Sequence, residues 1–138
     1  MKKILIMHPF GIGDVIFSFP LAHELKQAGY DVDYLCNERT VEFISSNPDV
    51  TSCMTFNRDA IRKLRKENPL KWIQELHSWV QRIRSGRYEA VIDLSMGREY
   101  AFFALLAGVR KRIGFDYKKR GRFLTDKFVI EGFDGSPV

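Results

Sequence analysis

A glycine-rich turn that ends in Asp14 carries the residues best suited to chemistry in this 138-residue chain. It follows an apolar run at residues 4–7 and precedes residues 21–26, which are typical of a helix. A strand, a glycine-rich turn and a helix form a crevice of an α/β sheet, where ligands bind at the carboxyl ends of strands. Gly11 and Gly13 would let the backbone turn tightly and approach a ligand without an intervening Cβ. A carboxylate at this crevice suits a general base better than a phosphate site, because like charges repel.

A dinucleotide-binding fingerprint is the obvious alternative, and the spacing argues against it. The Gly-x-Gly-x-x-Gly motif needs a third glycine or an alanine where this chain has Ile16. A β-branched side chain there would block the close packing of helix on strand, and Asp14 would face the pyrophosphate. A turn with only a structural role stays open as a second alternative.

Length and composition predict one compact domain. The chain is 45% hydrophobic, and none of its apolar runs approaches the roughly 20 residues of a membrane span. The charged start at Lys2 and Lys3 precedes an apolar stretch too short for a signal peptide. We therefore expect a cytoplasmic protein whose Cys36 and Cys53 stay reduced and are mostly buried. Because metal-binding Cys and His spacings are absent from the sequence, we expect no metal, and because the dinucleotide fingerprint is incomplete, we expect no cofactor.

The net charge of +5 is concentrated near the C-terminal end, since residues 110–127 alone carry +6. Such a cluster favours phosphate, carboxylate or an anionic lipid headgroup. Nucleic acid is not expected, because no aromatic residues are spaced regularly among the charges. A second basic run at 58–66 is interpreted as a solvated face. The candidate ligand contacts in the main cluster are Arg112, Lys118, Lys119, Arg120 and Arg122.

Strands and helices alternate along the chain with short links. Strands are predicted over 2–7, 32–36, 51–56, 88–94, 111–115 and, as a sixth, 127–130, and helices over 15–28, 40–45, 69–84 and 100–107. The first helix, closed by Gly29, contains Pro20, so it either begins near Ser18 or bends. Ile73 is predicted to lie in the apolar stripe of the third helix, and the last helix is predicted to be heavily buried. The pattern predicts an α/β fold: a Rossmann-like, doubly wound, mostly parallel sheet of about five to six strands.

Two further groups fall at the same edge of the predicted sheet. Asp93, Ser95 and Arg98 follow the fourth strand and could face the same ligand, or Asp93 or Ser95 could merely cap the next helix. His8 ends the first strand, close enough to pair with Asp14, although a lone His is more often a structural hydrogen-bonding group.

Several stretches together resemble the N-terminal domain of glycosyltransferase family 9, the ADP-heptose:lipopolysaccharide heptosyltransferases and their relatives. Each stretch is short, but their order and spacing make the resemblance specific. They are KILI at 3–6, GDV at 13–15 with Pro20, NPDV at 47–50, YEAVIDL at 88–94 and LLAGVRKRIGF at 105–115.

The resemblance implies a GT-B architecture, with two Rossmann-like domains and the active site between them. Residues 1–138 would form the acceptor-side domain, and the nucleotide-sugar domain would lie outside this chain. Asp14 would be the general base of an inverting, metal-independent transfer of a heptose-like sugar to an anionic glycan or glycolipid acceptor. Residues 8–10 depart from the family pattern before the Gly-Asp pair, which leaves the acceptor open. The chain alone is expected to be inactive.

Two other interpretations of the same residues stay open. One is a non-catalytic module that binds an anionic small molecule or lipid headgroup and does not need Asp14. The other, compatible with the enzyme, is peripheral contact with the inner face of the membrane through the basic cluster and aromatic residues such as Phe10 and Phe17.

Overall fold

The computed structural model describes residues 2–95, 99–117 and 123–130. Six strands alternate with five helices in this part of the chain. The strands are β1 (Lys3–His8), β2 (Asp31–Cys36), β3 (Ser52–Thr55), β4 (Ala90–Asp93), β5 (Lys111–Tyr117) and β6 (Asp126–Ile130). The helices are α1 (Ile12–Gln27), α2 (Val41–Ser45), α3 (Arg58–Glu67), α4 (Pro69–Ser85) and α5 (Glu99–Leu106).

All six strands form one parallel sheet in the order β3-β2-β1-β4-β5-β6. This arrangement confirms the predicted Rossmann-like α/β fold. The chain reverses its direction of progress across the sheet between β1 and β4, which pair through Met7 and Asp93 at their carboxyl ends. The connection after β1 and the connection after β4 lead to opposite sides of the sheet. A crevice is therefore left beyond the carboxyl ends of these two strands.

The core has two layers, one on each face of the sheet. Leu5 and Met7 of β1 pack in a cluster with Trp79 and Ile83 of α4 and with α5. Alternate residues of the same strand, including Ile6, pack on the other face with α1. Because neighbouring side chains of a strand point to opposite faces, β1 must be apolar throughout.

Helix α1 begins earlier than predicted and is continuous through Pro20. The glycine-rich segment is therefore the start of the helix, with Asp14 in its first turn, where a negative charge complements the helix dipole. A start near Ser18 is ruled out. The end agrees with the prediction: Gly29 follows the last turn with φ +94°, a conformation that favours glycine.

Helix α3 was not expected from the charged run at 58–66, although the prediction of a solvated face is confirmed by the exposed Arg62 and Arg65. The Asn57 side chain caps the helix by accepting a hydrogen bond from the Ala60 N–H at 3.0 Å. Charged residues outnumber apolar ones in this helix, and Ile61 and Leu64, three residues apart and both half-buried, form its narrow apolar side.

Two burial predictions were wrong. Ile73 of α4 is 55% exposed, and α5 leaves Phe102, Leu105 and Leu106 exposed although its sequence is almost wholly apolar. Helix α5 contacts the sheet with one side only, where Tyr100, Ala101, Phe103, Ala104 and Ala107 are buried. Both cysteines are free, Cys36 buried and Cys53 half-buried. No helix within the described ranges has the length and apolar character needed to cross a membrane.

Candidate functional site

A cleft of about 490 Å³ lies where the order of the strands reverses. The end of β1 forms its base, α1 forms one side, and the residues around the ends of β4 and β5 form the other. The described residues that line it are His8, Phe10, Asp14, Phe17, Ser18, Leu21, Leu94 and Phe115.

One stripe of α1 faces this cleft. Its members are Asp14, Phe17, Ser18 and Leu21, which follow each other at the three- and four-residue spacing of one helix face. Asp14 is exposed, and among the described residues its carboxylate has no hydrogen bond or ion pair. The first turn of α1 therefore presents a solvated carboxylate at the rim of the cleft.

Gly11 and Gly13 leave open space beside that carboxylate. A Cβ added at either position would meet no atom within 4 Å, and Gly11 has an extended backbone with φ −73°. The expectation of a tight turn that requires glycine was wrong, since any residue adopts this conformation. Glycine in a helix costs about 1 kcal/mol relative to alanine, so Gly13 weakens α1 without a packing benefit. The space it leaves is available to a ligand.

His8 lies at the base of the cleft and is only 5% exposed. Its Nδ1 has no hydrogen-bond partner among the described residues, and its ring packs edge to face on Phe10 at 5.5 Å. Burial lowers the pKa of His8, and the negative charge of Asp14 opposes this effect without outweighing it. The imidazole is therefore neutral near neutral pH and can accept or donate a hydrogen bond in the cleft.

Asp93 and Ser95 interact with each other in the turn after β4. The Asp93 carboxylate accepts hydrogen bonds from the backbone N–H of Ser95, at 2.8 Å, and from its hydroxyl. Both side chains are buried, and neither is among the described residues that line the cleft. This geometry favours the local structural role over the ligand-binding one. Arg98 lies outside the described residues.

The structure does not bring Arg112 to the cleft. It is the second residue of β5, near the amino end of the strand, whereas the cleft lies at the carboxyl ends. Its guanidinium donates hydrogen bonds to the carbonyl oxygens of Phe123 at 2.6 Å and Val109 at 2.7 Å, which ties β5 to the segment before β6. The other predicted contacts of the basic cluster lie outside the described residues, namely Lys118, Lys119, Arg120 and Arg122.

A second, smaller cavity of about 270 Å³ lies between α3, α4 and α5. Its described lining is aromatic and aliphatic, with Arg62 and Arg65 as its polar residues. This lining offers no carboxylate, imidazole or thiol among the described residues. Within the described ranges, no group of three His, Cys, Asp or Glu residues could hold a metal ion.

No protein-family model matches the sequence, and no curated protein does. Solved structures do match: E. coli ADP-heptose lipopolysaccharide heptosyltransferase II is 25% identical, with a TM-score of 0.71, and the match covers 95% of this chain and 35% of that chain. E. coli heptosyltransferase WaaC, solved with ADP-2-deoxy-2-fluoro heptose, is 21% identical, with a TM-score of 0.77 and coverages of 96% and 44%. This chain has the fold of the heptosyltransferases.

A glycosyltransferase family 9 protein from Veillonella parvula is also similar, at 17% identity, with a TM-score of 0.66 and coverages of 92% and 36%. The resemblance to this family that the sequence motifs indicated is thus confirmed by the fold. The heptosyltransferase-like chain spans between about a third and a half of the length of these proteins.

Sequence analysis missed the apolar lining of the site. Phe17 and Leu21 follow Asp14 at helical spacing, but the helix was predicted to begin after Asp14. The prediction therefore did not place Asp14, Phe17 and Leu21 on one stripe of a helix. Leu94 and Phe115 come from separate strands, so only the pairing of β4 with β5 brings them near each other.

Proposed function

We propose that this chain is the acceptor-side domain of an inverting, metal-independent glycosyltransferase. The enzyme would transfer a heptose-like sugar from a nucleotide diphosphate sugar to a hydroxyl group of a glycan or glycolipid. The observation that carries the proposal is the exposed carboxylate of Asp14 at the rim of the cleft, on a fold shared with the heptosyltransferases.

Asp14 acts in this proposal as the general base. Its carboxylate takes the proton from the acceptor hydroxyl while the oxygen attacks the anomeric carbon of the donor. The bond from that carbon to the diphosphate breaks, the diphosphate leaves with the electron pair, and the anomeric configuration inverts. Positioned proton transfer of this kind contributes about 10²- to 10⁴-fold to a rate.

His8 and the two glycines prepare the site for this step. The neutral imidazole of His8 offers the acceptor a hydrogen bond next to the anionic base, and its burial holds the ring in one place. The empty space beside Gly11 and Gly13 admits the acceptor close to the Asp14 carboxylate.

The donor site is proposed to lie in a second domain outside residues 1–138, because the similar structures are between two and three times as long as this chain. Anionic groups of the acceptor would contact the basic cluster, where Lys118, Lys119, Arg120 and Arg122 are the candidates. A glycolipid acceptor would also bring the domain to the inner face of the membrane.

Transfer assays with the product of the complete reading frame test this function. ADP-heptose and a lipopolysaccharide core acceptor should give a glycosylated product of inverted anomeric configuration, with the same yield in the presence of a metal chelator. A product that transfers no sugar from any nucleotide sugar, but binds anionic small molecules, would instead support the non-catalytic binding module.

A further inference from the structure

Three aromatic side chains border the cleft beside Asp14. Phe17 lies on α1 one helical turn after Asp14, Phe10 precedes the helix, and Phe115 comes from β5 on the opposite side. Leu94 completes the apolar lining on that opposite side. A ligand whose hydroxyl reaches the carboxylate must therefore place its neighbouring atoms against apolar surface.

Phe17 is the most exposed of the large apolar residues on α1. Its side chain is 84% exposed, and the nearby Ile12 and Ile16 are each 47% exposed. A single exposed apolar residue is ordinary, but Phe17 shares the lining of the cleft with Phe10, Leu21, Leu94 and Phe115, and apolar surface gathered at a cleft indicates a binding surface. Residues three apart on a helix are neighbours, so the Phe17 ring lies beside whatever the Asp14 carboxylate binds.

Few polar side chains of the described lining remain available to a ligand. The Ser18 hydroxyl already donates to the Val15 carbonyl oxygen at 2.6 Å and lies 2.8 Å from the Tyr34 hydroxyl. The Asp14 carboxylate and the imidazole of His8 remain. Together they can form hydrogen bonds with one hydroxyl group of a ligand and with the atoms next to it. An anionic group at the same place would be repelled by the Asp14 charge.

We infer that the acceptor carries an apolar group, aryl or alkyl, next to the hydroxyl that reacts, and that Phe17 stacks on this group. The inference rests on the proposed function and specifies its acceptor: an amphipathic glycoside or glycolipid. Its anionic groups, if it has them, lie away from Asp14, towards the basic cluster. Stacking on an aromatic ring contributes about 0.5–1.5 kcal/mol beyond the buried area.

Binding of three small probes to the 138-residue chain tests the inference. Phenyl β-glucoside, methyl β-glucoside and glucose 6-phosphate are titrated while the NMR signals of the phenylalanine rings and of His8 are followed. We expect the phenyl glucoside to bind tighter than the methyl glucoside and to shift the Phe17 and His8 signals, and glucose 6-phosphate to leave these two signals unshifted. Phe17→Ala should weaken its binding about tenfold, the upper part of the range for aromatic stacking. Ile73→Ala, at an apolar residue of α4 that is 55% exposed and is not among the residues that line the cleft, should leave the binding unchanged.

Three results would overturn the inference: phenyl glucoside binding no tighter than methyl glucoside, glucose 6-phosphate shifting the Phe17 and His8 signals as much as phenyl glucoside does, or phenyl glucoside binding that Phe17→Ala does not weaken. Self-association of the chain that Phe17→Ala abolishes would assign the patch to a second copy and would also overturn it.

Transfer assays distinguish failure of the acceptor inference from failure of the proposed function. If Asp14→Asn abolishes turnover in the product of the complete reading frame while binding is independent of Phe17, only the acceptor inference fails. Unchanged turnover in Asp14→Asn overturns the proposed function, whatever the probes do.

Discussion

The exposed carboxylate of Asp14 and the buried imidazole of His8 line the same cleft, Asp14 at its rim and His8 at its base. His8 is the last residue of β1, and Asp14 lies in the first turn of α1, so the glycine-rich segment between them sets their relative position. Burial lowers the pKa of His8 more than the nearby negative charge raises it. The pair therefore presents a neutral hydrogen-bonding group beside an anionic base, which suits removal of a proton from a hydroxyl group.

Replacement of the proposed base tests the catalytic role directly. Asp14→Asn in the product of the complete reading frame should lower kcat about 10²- to 10⁴-fold and change KM little, because the amide keeps the shape but cannot take the proton. Asp59→Asn is the matched control, since Asp59 is also an exposed acid in the first turn of a helix. Steady-state kinetics measure both variants, and equal kcat values in the two would contradict the role of Asp14.

Acidification should destabilise the chain through His8. Its pKa in the folded state lies below the ordinary value of 6.5, so the unfolded chain binds more protons as the pH falls below that value. Stability is therefore retained above about pH 6.5 and declines as the pH drops towards the folded pKa. His8→Gln removes this pH-dependent contribution to stability. Thermal unfolding of the unsubstituted chain and of His8→Gln, each at about pH 7.5 and about pH 5.5, measures the contribution. Equal losses of Tm on acidification would show that His8 is not buried as described.

The fold follows from the sequence because its main elements have clear local signals. Apolar runs mark β1, β2 and β4, and glycines with positive φ, Gly29 and Gly108, end α1 and α5. Helix α3 was missed because its charged residues outnumber its apolar ones, although Asn57, which caps its start, is a helix signal in the sequence. Expectations for Arg112 failed for a related reason: proximity in sequence to a basic cluster does not fix which edge of the sheet a side chain reaches.

Only part of the site is visible in the sequence. Asp14 and His8 are recognisable because His8 ends a strand and Asp14 comes soon after it, and the carboxyl ends of parallel strands share one edge. The aromatic lining depends on the start of α1 and on long-range pairing, as the distance in sequence between Phe17 and Phe115 illustrates. Sequence patterns therefore predict the polar groups of this cleft better than its apolar lining.

Two glycines should respond in opposite ways to alanine. A Cβ at Gly114 in β5 would lie 2.8 Å from the backbone oxygen of Asp93 and 3.1 Å from the Leu124 side chain, so the two strands would have to separate. Gly114→Ala should lower the free energy of unfolding by about 1–3 kcal/mol. Gly13→Ala should raise it by up to about 1 kcal/mol, since its Cβ meets open space in a helix.

Urea unfolding of the unsubstituted chain, Gly114→Ala and Gly13→Ala measures both changes in the free energy of unfolding. If the space at Gly13 serves the acceptor, the stabilised Gly13→Ala variant should also have a raised KM in transfer assays. A stable variant with unchanged kinetics would remove Gly13 from the proposed site.

A buried pair on the other side of the sheet supports the core rather than the site. The Tyr88 hydroxyl donates a hydrogen bond of 2.7 Å to Oδ2 of Asp33, whose Oδ1 has no partner among the described residues. Tyr88→Phe leaves the carboxylate buried without this donor and should cost about 1–3 kcal/mol of unfolding free energy. Tyr30→Phe, at a half-buried tyrosine, is the control and should be nearly neutral. The double variant Tyr88→Phe, Asp33→Val should regain stability in urea unfolding, because it removes both polar groups. No recovery would mean that the loss in Tyr88→Phe does not come from the hydrogen bond to Asp33.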